Sequence, residues 1–426
     1  MSVPQSRLIW LNFLGEEAWR AWTFPWAVPW RRRRAEAWDE VGFLIAESQD
    51  VYLSRVEPHP AWRDARVRQW KLHDHQPPTR IQLHDLAVPI GLKIEDRECV
   101  FVQVSPDELK LKPDLDLALM NRLRAWNDKR SWPAWVRSQG FQTPETWPLK
   151  NCERPPCSKG RMKLAWSSGG MGQRCWKSPE EFESFRAAFA VPVHRLSQLN
   201  SSELIPVDEW LVQREIELPR RHWTVSFHMQ DLFRPVAAQV VYDQEFHSTQ
   251  HELMCLEQAP IELRRFLSIW RSALTEDKWM GAAGFDAIED SQGEIWLVDL
   301  NARLDRVGLM AWVAEHHGLR LASLTDQTDL KQTDFSLPRV SRWRGLLPTS
   351  SREDLVQLFF RDFELWSQQP PTARLERTTS RVLHFGIVEA QMSKVAVEVQ
   401  ILHRAETDAL AWMETWFNAW QQRFAD

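Results

Sequence analysis

Residues 281–306, GAAGFDAIEDSQGEIWLVDLNARLDR, decide the fold. This stretch holds two short apolar runs, at residues 284–288 and 295–298, and a turn containing Gly293 separates them. Two apolar runs around a glycine-containing turn are typical of an antiparallel β-hairpin. The stretch therefore predicts two paired strands in a sheet.

Each predicted strand carries a carboxylate among apolar residues, Asp286 on the first and Asp299 at the end of the second. Asn301 follows Asp299 by two residues, so both point to one face of an extended segment, and Arg303 continues that face. Oxygen ligands of this kind suit Mg²⁺, which binds a few carboxylates and fills its shell with phosphate oxygens and water. From the hairpin alone, a magnesium site and an ordinary surface hairpin are both open.

Composition limits the classes of protein to which the chain can belong. Its 426 residues are enough for two to four domains with sizeable cores. A net charge of −5 argues against a general nucleic-acid binder, which usually carries a basic excess. The sequence has no run of eighteen apolar residues, so we expect no transmembrane helix, and we find no signal-peptide pattern. Five cysteines without a CxxC pair favour a reduced cytoplasmic protein.

Two further features leave alternatives open. The chain has 25 tryptophans against 2 tyrosines, and core packing is favoured over a stacking surface for sugars, bases or aromatic substrates. His247 and His251 have a spacing that can bind zinc on a helix, but a solvent-exposed face is favoured because no third ligand is evident.

The first part of the chain, residues 1–122, predicts a small α/β domain. Apolar runs at residues 8–14, 41–46, 51–56, 81–83 and 99–104 are candidates for its strands. No phosphate-binding glycine pattern follows the first of these runs, which argues against a Rossmann dinucleotide site.

The second part, residues 123–205, centres on a lysine and a glycine-rich turn. A predicted helix at 132–138 ends at Gly140, and a short strand carrying Lys163 then leads into the turn S-S-G-G-M-G at residues 167–172. A second strand follows at residues 174–176. Backbone N–H groups of such a turn can approach phosphate oxygens closely, and the lysine supplies a positive charge. Because no GK[ST] follows, the turn is not a Walker loop.

The third and fourth parts are residues 206–325 and 326–426. The third holds a strand at 210–217, a hairpin at 223–229 and 236–242, a helix at 260–270 and the opening hairpin. The fourth holds a hairpin at 382–390 and 395–402 and a final helix at 408–424, which predict a small α+β extension or a dimer contact.

The order of these motifs resembles the ATP-grasp superfamily of ATP-dependent carboxylate–amine ligases. The resemblance covers about residues 123–318 and implies a two-lobe nucleotide-binding fold of the α+β and α/β type. It implies that Lys129 and Lys163 contact phosphate, that Asp286, Asp299 and Asn301 hold magnesium, and that Arg303 lies near the transferred phosphate. Arg303 and Lys163 are the implied catalytic residues. The other implied nucleotide-binding residues are Ser168, Gly169, Gly170 and Gly172 of the turn, Gln213, Arg214, Glu215 and Ile216 of the adenine hinge, and Glu217 as the candidate for holding the ribose.

The resemblance also implies an activity, with ATP and Mg²⁺ as cofactors. A substrate carboxylate attacks the γ-phosphate of ATP, and an amine then displaces phosphate from the acyl phosphate to form an amide. The partners implied are small-molecule or peptide carboxylates and amines, with no nucleic acid or membrane, and a homodimer is left open. The family more often has glutamate where this chain has Asp286 and Asp299, so it is open whether both magnesium positions are kept. A phosphotransferase acting on a hydroxyl and a non-catalytic Trp-rich interaction protein are the alternative hypotheses.

Overall fold

A computed structural model describes the fold. It describes residues 7–10, 45–46, 49–54, 79–82, 98–101, 117–166, 173–191, 205–243, 248–316, 338–348, 361, 381–391, 394–404, 415–416 and 418–419. These residues form four sheets and the helices that pack on them, so the predicted mixture of α and β structure is confirmed.

The N-terminal sheet is parallel and has the strand order β3-β2-β1-β4. Leu8 and Ile9 are fully buried in its central strand. The strand predicted at residues 41–46 is wrong at its end, because Ile45 and Ala46 are buried outside any strand. The four strands are β1 (Arg7–Trp10), β2 (Val51–Ser54), β3 (Thr79–Gln82) and β4 (Glu98–Phe101).

A small four-stranded antiparallel sheet with the order β5-β10-β6-β7 carries Lys163. Its apolar face packs on a helix that begins with a capping box, in which Ser178 Oγ accepts from Glu181 N at 3.3 Å. The elements are α1 (Leu117–Asn127), α2 (Trp132–Ser138), β5 (Thr146–Pro148), β6 (Gly160–Leu164), β7 (Arg174–Trp176), α3 (Pro179–Phe189), a short pair β8 (Ala190–Val191) and β9 (Ile205–Pro206), and β10 (Trp210–Arg214).

An eight-stranded sheet with the order β15-β14-β11-β12-β13-β16-β18-β17 carries the opening hairpin at one edge. Its antiparallel pairs confirm the hairpins predicted around residues 223–242, 281–306 and 382–402. The elements are β11 (Pro219–His228), β12 (Val236–Asp243), β13 (Ser248–Cys255), α4 (Ile261–Glu276), β14 (Ala282–Asp290), β15 (Ile295–Asn301), α5 (Arg306–His316), β16 (Pro338–Pro348), β17 (Arg381–Gln391) and β18 (Lys394–Arg404).

The strands β16, β17 and β18 continue the same sheet as the opening hairpin, and the division of the chain at residue 326 stays a prediction. The helical spacing considered for His251 is wrong, because His251 lies on β13 and is buried rather than exposed. Most of the predicted helix at 408–424 lies outside the described residues.

The two faces of the eight-stranded sheet have different roles. Trp223, Val225 and Phe227 of β11 face a core built with α4, where aromatic rings meet edge to face. Thr224 and Ser226 alternate with them and so point to the opposite face, which Asp286 of β14 shares. The alternation therefore separates a packed apolar face from a polar one.

Candidate functional site

Two buried lysines from separate segments reach the edge strand β15. Lys129 lies in the turn between α1 and α2, and its Nζ is 3.2 Å from Asp299 Oδ2. Lys163 lies on β6, and its Nζ donates to the backbone carbonyl of Val298 at 3.2 Å. Both side chains are only 3% exposed. The structure thus brings together two cations that lie 34 residues apart and a strand more than 130 residues further along the chain.

An irregularity in the pairing of β14 and β15 allows the contact between Lys163 and the Val298 carbonyl. Asp286 pairs with Asp299, whereas the next residue, Ala287, pairs with Leu297, so Val298 is an extra residue on β15. A β-bulge of this kind leaves backbone groups out of the ladder and changes the direction of a strand. The Val298 carbonyl is consequently available to the Lys163 ammonium.

The carboxylates of the hairpin lie side by side on the polar face. Asp286 and Asp299 are partners across β14 and β15, and Asp286 Oδ1 accepts from Thr224 Oγ1 at 2.6 Å. Burial, with the negative charge of Asp299 beside it, raises the pKa of Asp286 to about 7. Burial likewise lowers the pKa of Lys163 to about 7. In both cases burial disfavours the charged form of the side chain.

The fit of this cluster to a magnesium ion rests on the atoms of two residues. Asp299 Oδ1 is buried and has no hydrogen-bond partner within the described ranges, and Asp286 supplies a second carboxylate across the hairpin. Hard carboxylate oxygens match the preference of Mg²⁺. The described part of the chain contains no cluster of three or more His, Cys, Asp or Glu side chains that could hold a metal ion. Any magnesium site here therefore depends on few protein ligands.

The third predicted metal ligand, Asn301, is engaged elsewhere. Its Oδ1 accepts from Arg303 Nη2 at 2.7 Å, and the Asn301 side chain is buried. Asn301 lies opposite Gly284 in the hairpin, beside the Asp286 and Asp299 pair. The structure thus places Asn301 and Arg303 at the site, but it bonds them to each other.

A buried carboxylate that the sequence interpretation missed holds the turn after β15. Asp305 accepts from Ser226 Oγ at 2.5 and 2.6 Å and from Gly308 N at 2.7 Å. Burial raises the pKa of Asp305. These bonds tie the first turn of α5 to β11, and the segment carrying Arg303 runs between them.

The predicted adenine hinge lies at the end of β10. Gln213 is buried, and its Nε2 donates to Thr146 Oγ1 at 3.1 Å. Arg214 is exposed and pairs with Glu145 at 2.8 Å, while Glu215 Oε1 is 3.8 Å from Arg161 Nη2. Ile216 is half-buried and Glu217 is exposed. The predicted loop residues Ser168, Gly169, Gly170 and Gly172 lie outside the described residues.

Some residues of the site were missed although the sequence carried a signal for them. Arg161 precedes Lys163 by two residues on one strand, and that spacing places both on the same face. Thr224 and Ser226 alternate with large apolar residues on β11, which marks them as members of the polar face. The period-two pattern could have identified all three.

No protein-family model matches the sequence. A comparison with curated proteins gives no match either. No helix within the described ranges combines the length and the apolar character needed to cross a membrane.

Solved structures that resemble this chain include a biotin carboxylase, an L-amino acid ligase and a ribonucleotide synthetase. Biotin carboxylase from Campylobacter jejuni is 13% identical with a TM-score of 0.46, over 96% of this chain and 90% of that one. The N5-carboxyaminoimidazole ribonucleotide synthetase from Thermus thermophilus is 11% identical with a TM-score of 0.46, over 98% of both chains. The L-amino acid ligase from Bacillus licheniformis is 12% identical with a TM-score of 0.42, over 99% and 98%. These identities are too low to transfer a substrate or a residue's role.

Proposed function

We propose that this chain is an ATP-dependent ligase that activates a carboxylate as an acyl phosphate and joins it to an amine. One observation carries the proposal: the buried lysines Lys129 and Lys163 reach the edge of the sheet that holds Asp286 and Asp299. A nucleotide phosphate chain bound with Mg²⁺ requires this combination of charges. Its oxygens need ammonium groups, and its cation needs carboxylates.

Lys129 and Lys163 are proposed to hold the phosphates. Each ammonium is buried, that of Lys129 beside an Asp299 oxygen and that of Lys163 beside the Val298 carbonyl. A phosphate oxygen stabilises the charged form of Lys163, whose pKa burial lowers to about 7. The binding of an anion therefore relieves an electrostatic cost that the site carries without one.

Asp286 and Asp299 are the proposed magnesium ligands. When bound, Mg²⁺ supplies charge neutralisation at the phosphate oxygens during transfer. Gln213 and the residues after it are proposed to border the adenine, because they end the strand β10 that lies beside Lys163 on β6. Leu211 of β10 is the residue in register with Lys163, and Gln213 lies two residues further along on the same face.

The proposed reaction breaks and forms two bonds in turn. A carboxylate oxygen attacks the γ-phosphorus, the bond between that phosphorus and the β–γ bridging oxygen breaks, and ADP leaves. The amine nitrogen then attacks the acyl carbon and loses a proton, and the acyl C–O bond breaks to release phosphate. Arg303, which Asn301 fixes beside the carboxylate pair, is proposed to balance the negative charge on the transferred phosphoryl group.

Calorimetry with ATP analogues tests the nucleotide site, and product analysis tests the reaction. We expect the folded chain to bind a non-hydrolysable ATP analogue in the presence of Mg²⁺, and the Lys163→Met variant to bind it at least about tenfold more weakly. Lys150→Met is the matched control, because Lys150 is an exposed lysine that pairs with Asp208 at 2.9 Å. Absence of nucleotide binding to the folded wild-type chain would reject the proposal.

Substrate screening separates ligation from phosphoryl transfer. ADP release should rise when a carboxylate and an amine are both present, and mass spectrometry should detect the amide. A stable phosphate ester formed from a hydroxyl compound would instead identify a phosphotransferase.

A further inference from the structure

The amide orientation of Asn301 is fixed by its partner. Arg303 carries only N–H donors, so the group of Asn301 that lies 2.7 Å from Arg303 Nη2 must be the carbonyl oxygen. The separation is typical of a charge-assisted hydrogen bond, which is stronger than one between neutral groups. The Asn301 oxygen is therefore directed to Arg303.

This orientation disfavours Asn301 as a cation ligand, because its oxygen already accepts from a guanidinium. The other branch of the amide is an NH₂ group, which offers two donors and no lone pair for a metal. A cation placed on the Asn301 oxygen beside Arg303 would bring a divalent ion and a guanidinium to one atom, where their charges repel. The NH₂ group is suited to donate to a phosphate oxygen.

The remaining ligands are sufficient for one cation. Asp299 has a buried Oδ1 without a hydrogen-bond partner within the described ranges, and its Oδ2 lies 3.2 Å from Lys129 Nζ. Asp286 uses Oδ1 to accept from Thr224. A single Mg²⁺ is usually bound by one or two carboxylates together with substrate phosphates and water. A second ion would need further protein oxygens, and Asn301 does not provide one.

We propose that the nucleotide site holds one Mg²⁺, on Asp286 and Asp299, and that Asn301 is a positioning residue for Arg303. This inference rests on the proposed function, because it assumes that nucleotide and cation bind together. It departs from the ligand set implied by the sequence resemblance, in which Asn301 contacts the metal.

Counting bound Mn²⁺ tests the inference on the full chain. Mn²⁺ replaces Mg²⁺ as a paramagnetic probe, and its free concentration is followed by electron paramagnetic resonance during titration with saturating non-hydrolysable ATP analogue. We expect one Mn²⁺ per nucleotide-bound chain. Two Mn²⁺ per chain would overturn the inference while leaving the proposed function intact, whereas no nucleotide binding would overturn both.

Two variants locate the ligands. Asn301→Ala should keep one Mn²⁺ with an affinity within about threefold of wild type, whereas Asp299→Asn should weaken Mn²⁺ at least about tenfold. Loss of Mn²⁺ affinity in Asn301→Ala to the level of Asp299→Asn would show that Asn301 is a ligand. If Asn301→Ala does not fold, the wild-type stoichiometry decides the question alone.

The positioning role has its own signature. If Asn301 acts through Arg303, Asn301→Ala should lower the rate of stimulated ADP release without changing Mn²⁺ affinity. The double variant with Asn301→Ala and Arg303→Ala should release ADP only slightly more slowly than Arg303→Ala alone. Independent, multiplicative losses in the two variants would contradict that role.

Discussion

Lys129 Nζ lies 3.2 Å from Asp299 Oδ2, so one carboxylate of the proposed magnesium site is paired with a lysine proposed to hold phosphate. Lys129 is 3% exposed and Asp299 is 18% exposed. The pair comes from segments 170 residues apart in sequence, and it joins the turn before α2 to the edge of the eight-stranded sheet. The contact therefore belongs to the folded state and can be measured through stability.

We expect the two partners to be coupled in a double-mutant cycle. Lys129→Met or Asp299→Asn alone should lower the free energy of unfolding by about 1–3 kcal/mol, because each removes the ion pair between two poorly solvated groups. The double variant should lose about 1–2 kcal/mol less than the sum of the single losses. Urea unfolding of the four proteins measures the coupling, and additivity within about 0.5 kcal/mol would show that the pair contributes nothing.

The parts of the site predictable from sequence are those fixed by local pattern. The hairpin of β14 and β15 follows from two apolar runs and a glycine turn, and the face shared by Asp299 and Asn301 follows from the period of two. The capping box at Ser178 and the end of α2 at Gly140, where φ is +78°, were likewise local signals. The motif order pointed to Lys129 and Lys163 through resemblance to a family.

The parts that could not be predicted depend on contacts between distant segments. The bonds from Ser226 to Asp305 span 79 residues, and neither residue is marked by its neighbours as a member of such a pair. The bulge at Val298 depends on the register of β15 against β14, which a single strand does not specify. The helical spacing of His247 and His251 was misleading because residues four apart also occur on strands, and His251 lies on β13, whereas His247 lies outside the described residues.

Gly284 should tolerate no side chain. A Cβ there would overlap the Asp305 carboxylate and approach Ser226 Oγ, both of which are buried. We expect Gly284→Ala to lower the free energy of unfolding by about 3 kcal/mol or more in denaturant titration. The matched control is Gly293→Ala in the same hairpin, where a Cβ meets nothing within 4 Å and only the φ of +85° is unfavourable. Gly293→Ala should lower the free energy of unfolding by about 1 kcal/mol. Equal losses in Gly284→Ala and Gly293→Ala would refute the packing argument.

Leu218 is strained in the connection between β10 and β11. Its φ is +48°, in the left-handed region, and its side chain is 72% exposed. Asparagine adopts this conformation more readily, so Leu218→Asn should raise the free energy of unfolding by about 1 kcal/mol. Leu218→Ala removes the exposed apolar side chain but keeps the strain, so it should change stability by less than about 0.5 kcal/mol. Equal gains from both substitutions would assign the effect to the apolar surface instead.

His228 should make the fold sensitive to acid. It is 4% exposed, burial lowers its pKa to about 4, and its Nδ1 accepts from Gln230 N at 3.1 Å. The unfolded chain protonates His228 near pH 6.5, whereas the folded chain does so only near pH 4. Above pH 6.5 this group therefore does not affect stability, and between pH 6.5 and pH 4 stability falls as the pH falls. At pH 5 the loss from this group is about 2 kcal/mol.

Replacement of His228 by asparagine isolates this effect. Asparagine keeps an acceptor for the Gln230 N–H but cannot take up a proton in this pH range. Urea unfolding at pH 7 and pH 5 should show a loss about 2 kcal/mol smaller in His228→Asn than in wild type. The rings of Phe233 and Trp312, 5.9 and 6.3 Å from the imidazole, lose a contact in the variant at both pH values. That packing cost cancels in the comparison, so an identical pH dependence of the two proteins would show that His228 does not cause the acid sensitivity.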